Sequence, residues 1–429
     1  MTLYAVNLFV IGVLLAVVAY WQHQRNKMKT SLLPSQLQEA DCHETIDDEL
    51  HDLDCRETTA DKFFGFRNQF LRVYGLAIAA DWLQGSFMYS LYKSTHRLPE
   101  SMVAALFATG FVSGGVSAIF VGSLADRFGR KRACLAYCVL YSISCLAVLS
   151  SQVSMLFLGR VLGGVSTTLL FTAFETWMIT ECHRLGFGHS DGALSPMYSG
   201  MSILNGFVAV TSGVIAHFLV HFSGSEIAPF LASVACLIAA SALISRSWVE
   251  NYGTSDPTLT TTSKSGFSAL LEPSLLAISF TSCILEGTMY IMIYAWSRAI
   301  ISARHLAATW TNPPFGLIFA NFMCALTLGS FFFSHITYEY NSIQRSSLAV
   351  QLAVSLTATS LLLTVLAEAE SYRFWAFCVF EFCLGMYFPS MAYLKGRLVS
   401  NEQRGTVYGL LRFPLNAFVV LSLATVQEG

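Results

Sequence analysis

Apolar residues along the chain are gathered into twelve runs, each about 20 residues or longer, which polar stretches separate. This is the length that an α-helix needs to cross roughly 30 Å of hydrocarbon at 1.5 Å per residue. The pattern therefore predicts an all-α polytopic membrane protein. The predicted spans lie near residues 3–22, 71–92, 101–124, 133–152, 154–181, 196–222, 228–247, 274–297, 312–334, 347–367, 372–394 and 406–427.

The overall composition agrees with this class of protein. Apolar residues make up 54% of the 429 positions, and the mean hydropathy is +0.55. The formal net charge is −2 and the basic residues are scattered, so we expect membrane lipid and no nucleic acid as a partner. In this arrangement of spans, seventeen of the 25 Lys and Arg residues lie on the same side of the membrane as the 125–132 loop, and five lie on the opposite side. The positive-inside rule then predicts that this loop is cytoplasmic.

Two polar segments divide the predicted spans into groups. We expect an N-terminal membrane anchor at 1–22, an acidic, disordered cytoplasmic linker at 23–70, a six-helix bundle at 71–249, a Ser/Thr-rich cytoplasmic linker at 250–273 and a five-helix C-terminal bundle at 274–429. The stretch "DWLQGSFMYSLY" in the first bundle aligns without a gap with "CILEGTMYIMIY" in the second. This alignment indicates that the two bundles are parallel repeats.

No cofactor and no metal are predicted. Cys42, His43, His51 and Cys55 lie in the acidic linker, but their spacing matches no standard zinc module. The sequence contains no Gly-rich phosphate-binding loop, which argues against a pump driven by ATP. We therefore expect a protein that is not an enzyme.

Several motifs carry a resemblance to a known family. "GSLADRFGRKR", residues 122–132, resembles the loop between the second and third helices of the major facilitator superfamily, and "GRVLGGVSTTLLFTAFETWMITE" resembles its fourth helix. "DWLQGSFMYSLY", "FETWM" and the extra span ahead of the core are similar to the molybdate-anion transporter branch. The resemblance implies two pseudo-symmetric helical bundles with an extra N-terminal span. It also implies that the last core helix is missing, because the core has eleven spans where the family has twelve.

The charged loop is expected to act as a cytoplasmic gate. Gly122 and Gly129 would allow the tight reversal, and Asp126 would accept hydrogen bonds from the free N–H groups that open a neighbouring helix. Arg127 and Arg130 would pair with Glu181 at the cytoplasmic end of the fourth core helix. By resemblance, such contacts favour the outward-open state. The alternative is that these charges only set the orientation of the chain.

Six ionisable residues lie inside predicted spans and form a second candidate set. Each costs at least about 2.5–3.5 kcal/mol at a helix centre, so we expect them to face a cavity or a partner. The carboxylates among them are candidates for carrying a coupling proton, although a structural role for any single one is an equal alternative. The set consists of Asp81, Arg160, Glu175, Glu286, Glu381 and Arg412.

A tetrahedral oxyanion requires cationic, N–H or O–H donors in place of its hydration shell. Arg412 is the first choice for the cation, with a structural pair to Glu381 as its alternative. For Arg160 a structural or proton-coupling role is the leading interpretation. The neutral donors predicted for the anion are Gln84, Ser86, Tyr89, Thr167, Thr168, Asn205 and Thr288.

The sequence and the resemblance together predict a secondary transporter, in the plasma membrane, that imports a small oxyanion by alternating access. Molybdate is the expected substrate and protons the expected driving ion. The same polar groups would suit sulfate, carboxylates or sugars. Two alternatives remain: an organic-solute or drug antiporter, and a receptor or scaffold that has kept the fold without transport.

Overall fold

The computed structural model describes residues 3–37, 46–185, 194–253, 272–309, 311–336, 343–398 and 404–425. These residues form α-helices and one π-helical turn, which short connections join. The helices are α1 Leu3–Leu37, α2 Ile46–Gly85, α3 Met88–Ser90, α4 Glu100–Ser117, α5 Val121–Phe128, α6 Arg130–Ala147, α7 Val153–Arg184, α8 Leu194–Ser223, α9 Ala228–Ser247, α10 Pro273–Leu306, α11 Phe315–Ile336, α12 Ile343–Leu366, α13 Glu370–Leu398 and α14 Arg404–Ala424.

Each of the twelve predicted spans corresponds to one helix or to a run of helices with a break between them. Eight of the described helices are individually long and apolar enough to cross a membrane, or nine when α4 and α5 are counted as one span. The helix α6 is not among them, because it begins with the three basic residues Arg130, Lys131 and Arg132. The two halves of the α4–α5 span meet at an angle of 53°.

The first core span is broken near its centre. Helix α2 ends at Gly85, the chain makes a turn at Ser86 and Phe87, and α3 then continues into the π-helical turn Leu91–Thr95. The Phe87 amide donates to the Gln84 carbonyl across this turn. The break places short, irregular backbone where the sequence pattern predicts one continuous helix.

The prediction of a disordered linker over 23–70 is wrong for most of that segment. Residues up to Leu37 continue α1, and residues from Ile46 onward already belong to α2. Helix formation needs local backbone hydrogen bonds and not an apolar surface, so a charged segment that extends a membrane helix can remain helical. Cys42 and His43 lie outside the described residues, and the side chains of His51 and Cys55 are not described.

The helices pack as two halves. In the first half, α2 packs against α8 and α9, while α7 packs against α4 and α6. In the second half, α13 packs against α10, α11 and α12. Two helix pairs form the main contacts between the halves, α8 with α11 and α4 with α14. At the first pair, Gly213 and Gly316 allow the backbones to touch, because a Cβ on Gly316 would collide with the Gly213 carbonyl oxygen.

The extra N-terminal span belongs with the second half. Helix α1 packs along α11, where the Asn7 amide donates to Asn321 Oδ1 at 2.9 Å and the Asn321 amide donates to the Tyr4 carbonyl at 3.0 Å. The Tyr4 hydroxyl donates to Glu370 at the start of α13. These hydrogen bonds fix α1 to α11 and α13 at a defined register.

Candidate functional site

A cavity of about 280 Å³ lies between the two halves, and we call it the central cavity. Helices α4 and α7 form its wall in the first half, and α10 and α14 form its wall in the second. Its polar lining contains one cation, one carboxylate and several neutral groups. These residues are Tyr141, Arg160, Thr167, Thr168, Thr172, Glu286, Tyr290 and Asn416.

Arg160 supplies the positive charge of the central cavity from α7. Its Nε donates to the Leu106 carbonyl at 3.2 Å, and its guanidinium carbon lies 5.4 Å from the centre of the Phe107 ring. A side chain at Gly110 would collide with the guanidinium, because a Cβ there would meet Nη2. Among the described side chains, no carboxylate forms a salt bridge with Arg160. The guanidinium is therefore held in place by α4, and Asp81 acts on it electrostatically without forming a salt bridge.

Glu286 supplies the negative charge from α10 on the opposite wall. Its Oε1 accepts a hydrogen bond from the Tyr387 hydroxyl at 2.9 Å and pairs with Lys395 Nζ at 3.2 Å. Both partners lie on α13, and the Ser282 hydroxyl lies 3.0 Å from that of Tyr387. The carboxylate is thus part of a polar network that joins α10 and α13 beside the cavity.

The other predicted membrane carboxylates lie away from the central cavity. Asp81 accepts a hydrogen bond from Tyr141, which itself lines the cavity. Glu175 accepts from the Tyr198 hydroxyl of α8 at 2.7 Å. Glu381 is buried in α13 and has no hydrogen bond or ion pair to the residues that the structure describes. The structure therefore brings Arg160 and Glu286 together and separates Glu175 and Glu381 from them.

The neutral donors predicted for an anion are only partly at the cavity. Thr167 and Thr168 line it, whereas five other predicted donors do not. Gln84 donates to the Ala80 carbonyl, Asn205 accepts from Trp82, and Thr288 donates to the Ile284 carbonyl. Ser86 is buried at the break in the first core span, and its hydroxyl has no partner within the described parts of the chain.

The fifth of these donors, Tyr89, belongs to a separate cluster that we call the outer cluster, at the end opposite the charged loop. Glu100 is buried there and accepts hydrogen bonds from Tyr89 at 2.8 Å and from Tyr294 at 2.9 Å, while Lys93 pairs with it at 3.1 Å. Tyr294 comes from α10 and the others from the first half. The outer cluster therefore joins the two halves at this end by a hydrogen bond.

Arg412, the predicted cation for the anion, lies in α14, and its side chain is not described. Helix α14 contributes Leu415 and Asn416 to the cavity wall. Arg412 precedes Asn416 by one helical turn. The backbone thus places Arg412 next to the cavity-lining part of α14.

The charged loop reverses at Gly129, where φ is +109°. Gly122 has a different place from the one expected: it lies inside α5, away from the reversal, and a Cβ on it would meet no atom within 4 Å. The segment expected to be a tight loop contains the short helix α5, Val121–Phe128. The chain therefore reverses at Gly129, seven residues after Gly122. Gly129 needs the positive φ that side chains rarely adopt.

The partners of the loop charges differ from those predicted. Asp126 binds Arg130, with Nε of the guanidinium 2.8 Å from Oδ1, and not the N–H groups of a helix. The carboxylate at a helix N-terminus is that of Glu250. It accepts hydrogen bonds from the backbone amides of Lys131 at 2.8 Å and Arg132 at 3.3 Å, at the start of α6. An acidic group at a helix N-terminus is stabilising because of the helix dipole.

The predicted pairs to Glu181 are also wrong. Glu181 is buried and pairs with Arg184 one turn later, at 2.9 Å from Nε. Arg130 reaches α7 through the Thr176 carbonyl at 3.2 Å and the Thr180 hydroxyl. The Arg127 guanidinium lies 5.6 Å from the centre of the Phe128 ring. The loop is therefore anchored within the first half.

The sequence did not point to several residues of these sites, including Tyr141 and Thr172 of the cavity lining. Tyr290 and Asn416 line the cavity, Glu100 organises the outer cluster and Lys395 pairs with Glu286. Glu100 and Lys395 lie near predicted span ends, where charged residues are ordinary, and this concealed them. The alignment of Gln84 with Glu286 could have drawn attention to the neighbours of Glu286, but not to a lysine on another helix.

A helical bundle in two halves, with a charged cavity between them, defines a membrane transporter of the major facilitator type. A family model described as sugar transporters with 12 TM matches residues 50–385. In fold, the chain resembles a single-substitution mutant of the nucleoside transporter NupG, with a TM-score of 0.67 and 13% identity over 83% of this chain and 90% of that one. It also resembles a bacterial homologue of the lysosomal transporter Spinster, with a TM-score of 0.64 and 13% identity over 84% of this chain and 81% of that one.

Curated relatives give the narrower assignment. The molybdate-anion transporters of Xenopus tropicalis and Danio rerio are each 30% identical to the chain, over 373 and 401 residues. Each match covers 85% of this chain and 80% of the relative. The chain belongs to the molybdate-anion transporter family of the major facilitator superfamily. It is an integral, multi-pass membrane transporter, and its family is one of transporters and not of enzymes.

Proposed function

We propose that the protein imports a small oxyanion, with molybdate as the first choice, across the plasma membrane into the cytosol. The observation that carries this proposal is Arg160, a cavity-lining cation without a carboxylate salt bridge among the described residues. A guanidinium in this position offers N–H donors in a fixed geometry, which suits a tetrahedral anion. The printed names of the curated relatives support the choice of molybdate.

Neutral groups complete the proposed site. The Thr167 hydroxyl donates to the Gly163 carbonyl at 3.0 Å, and the Thr168 hydroxyl donates to the Gly114 carbonyl at 2.9 Å. Each hydroxyl must exchange that hydrogen bond for one to the anion, which rotation about χ1 allows. Arg160 therefore provides the fixed contact and the threonines provide adjustable ones. Arg412 remains a proposed second contact from α14.

Alternating access is the proposed mechanism. In this arrangement the outer cluster joins the halves through Tyr294 and Glu100, so access from that side requires this hydrogen bond to break. The charged loop is anchored to α7 and to Glu250 within the first half, so it can move with that half as one body. At the contact between α8 and α11, Gly213 and Gly316 have no side chains that interlock, so the two helices can move past each other as the halves rotate.

Proton coupling is the proposed source of energy. The membrane segments contain the carboxyl groups Asp81, Glu175, Glu286 and Glu381, and the first three accept hydrogen bonds from tyrosine hydroxyls. Burying charged carboxylates is costly, and protons that move with the substrate reduce that cost during transport.

Uptake of radiolabelled molybdate tests the proposal. The full chain is expressed in cells that lack their own molybdate carrier, with its amount at the plasma membrane measured by surface biotinylation. We expect accumulation above that of mock-transfected cells, competition by excess sulfate or tungstate, and faster uptake at acidic external pH. Surface protein without accumulation would contradict the proposal, and binding without accumulation would support a receptor.

A second candidate substrate class is an organic solute, which the description of the matching family model as sugar transporters favours. The same cells are therefore loaded with labelled sugars or organic anions. Transport of these compounds without transport of molybdate would replace the oxyanion by this class. Efflux of the labelled compound that becomes faster when the external solution is acidified would identify a proton antiporter.

A further inference from the structure

We propose that a second cavity of the molecule is a binding site for a divalent transition-metal cation, Zn²⁺, Ni²⁺ or Cu²⁺, which the imidazole rings of His217 and His221 would hold. We call it the outer cavity, because it lies at the same end of the molecule as the outer cluster. Ion binding at this site is independent of the substrate that the protein transports and of transport itself.

The outer cavity lies between the two halves. In the first half, its wall is formed by α8, the π-helical turn and the connection between α8 and α9. In the second half, Asn312, Pro313 and Phe315 at the start of α11 form the wall. Its volume is about 580 Å³, compared with about 280 Å³ for the central cavity. A metal ion with several bound waters fits this space, because each water takes roughly 30 Å³.

The two histidines have the geometry of a chelating pair. They lie one turn apart on α8 and both line the outer cavity. Their ring centres are 6.3 Å apart, and the ring planes differ by 18°. Two histidines four residues apart on one helix face are a recurring arrangement for Zn²⁺. A metal–nitrogen bond of about 2.0 Å places each ring centre roughly 3 Å from the ion, so small side-chain rotations suffice for both rings to bind one ion.

Helix packing fixes one histidine and leaves the other accessible. Helix α11 packs directly on the backbone at His217, since a Cβ on Gly316 would lie 2.7 Å from His217 Cβ. His221 lies one turn further along α8 and is exposed. An ion from solution can therefore bind His221 first and His217 next, with His217 held in place by the contact between the halves.

The charge of the outer cavity favours a cation over an anion. Glu226 lines it, and its lining residues among the described parts of the chain include no Lys or Arg. The Glu226 carboxylate is already engaged, because Oε1 accepts from the Ser90 hydroxyl and Oε2 accepts from the Thr95 hydroxyl at 3.1 Å. Glu226 therefore attracts a cation through its charge and leaves the role of ligand to the histidines.

The number of ligands indicates the kind of ion and the strength of binding. Within the described ranges, no group of three or more His, Cys, Asp or Glu side chains is placed to hold a metal ion. The site thus has two protein ligands, with water in the remaining positions, and it binds more weakly than a structural zinc site with four. Imidazole nitrogen selects Zn²⁺, Ni²⁺ and Cu²⁺, whereas Mg²⁺ and Ca²⁺ require oxygen ligands. We expect reversible binding in the micromolar range.

Isothermal titration calorimetry with Ni²⁺ tests the inference on the purified full chain in detergent, at about pH 7.5, where a free imidazole is mostly neutral. We expect the wild type to bind one equivalent more than H217Q/H221Q, and H221Q alone to weaken this equivalent at least about tenfold. The control is H96Q, which removes a histidine whose ring lies 2.9 Å from the Val148 carbonyl oxygen. It should bind Ni²⁺ as the wild type does.

Two further measurements identify the ligands. The Cu²⁺ electron paramagnetic resonance spectrum of the wild type should show coupling to two imidazole nitrogens, which H217Q/H221Q loses. Ni²⁺ should raise the melting temperature of the wild type and not that of the double variant, because an ion that binds the folded state stabilises it. Comparison of variants also cancels any ion bound by the acidic segment, which contains Cys42, His43, His51 and Cys55.

Three results would overturn the inference. The first is equal stoichiometry and affinity in the wild type and H217Q/H221Q. The second is an equal loss of affinity in H221Q and H96Q. The third is displacement of the Ni²⁺ equivalent by Ca²⁺, which would show oxygen ligands. If variants at His217 do not fold, because α11 packs on this residue, H221Q still decides, since His221 is exposed.

Discussion

Arg160 and Glu286 line one cavity from opposite halves of the molecule, the first from α7 and the second from α10. The described structure gives Glu286 a lysine partner and leaves Arg160 without a carboxylate partner. The two walls therefore differ, because only the carboxylate of the second wall has a salt bridge among the described residues. The proposed oxyanion would make its contact with the wall that carries Arg160.

The first prediction concerns that charged wall. Arg160→Ala is expected to lower the affinity for molybdate about tenfold to a hundredfold, because hydrogen bonds to charged groups are worth about 1.5–3 kcal/mol. Arg160→Lys keeps the charge without the planar fork and should retain part of the uptake. Initial uptake rates over a range of molybdate concentrations measure this. Arg246→Ala, at an exposed position of α9, is the control, and equal KM values for both Ala variants would remove Arg160 from the site.

The second prediction compares two glycines of the charged loop. Gly129→Ala should destabilise the protein by about 1–3 kcal/mol, because φ is +109° there and the new Cβ would lie 2.5 Å from the Glu250 carboxyl carbon. Gly122→Ala should be neutral or stabilise by up to about 1 kcal/mol, since it lies in a helix with open space around it. Melting temperatures in detergent measure both. The same loss in both variants would contradict the placement of the reversal at Gly129.

The third prediction concerns the outer cluster. Tyr294→Phe removes the hydroxyl that joins α10 to Glu100, and it should shift the conformational equilibrium toward the state open on that side by about 1.5–3 kcal/mol. A cysteine introduced at Thr167 in the cavity should then react faster with a membrane-impermeant thiol reagent added outside.

The control for this experiment is Tyr4→Phe. It removes a tyrosine hydroxyl bonded to a glutamate, Glu370, but that bond lies within one half. Its labelling rate should equal that of the parent protein. Faster labelling in both variants, or in neither, would show that the Tyr294–Glu100 bond does not hold the outer end closed.

The fourth prediction concerns pH and Glu226, which lies in the loop between α8 and α9. Burial raises the pKa of this carboxyl above its usual range, against the hydrogen bonds from Ser90 and Thr95 that lower it. The folded state therefore holds the proton more tightly than the unfolded state, and the stability is lost as pH rises through the folded pKa. Glu226→Gln should flatten this decline in a series of melting temperatures. Glu272→Gln, at an exposed position, should keep it.

The sequence predicted the architecture well, because the length and polarity of apolar runs depend on the membrane and not on tertiary detail. Each run forms one helix or a broken helix, and the loop motif identified the superfamily. The predictions failed for the partners of charged side chains, both where the partner lies one turn away, as Arg184 does from Glu181, and where it comes from a distant part of the chain. Glu250 takes the place at the start of a helix that was expected of Asp126, because the approach of residue 250 to the start of α6 is set by packing. Lys395 was missed for the same reason.

Helix α1 is hydrogen-bonded to α11 and α13, yet the next helix along the chain is α2, which packs in the other half. The chain therefore passes from one half to the other twice, once between α1 and α2 and once between α9 and α10. Helix α1 therefore comes before the first half in the sequence but is bonded to the second half in space. If the halves rotate against each other, α1 would travel with the half that is more distant from it along the chain.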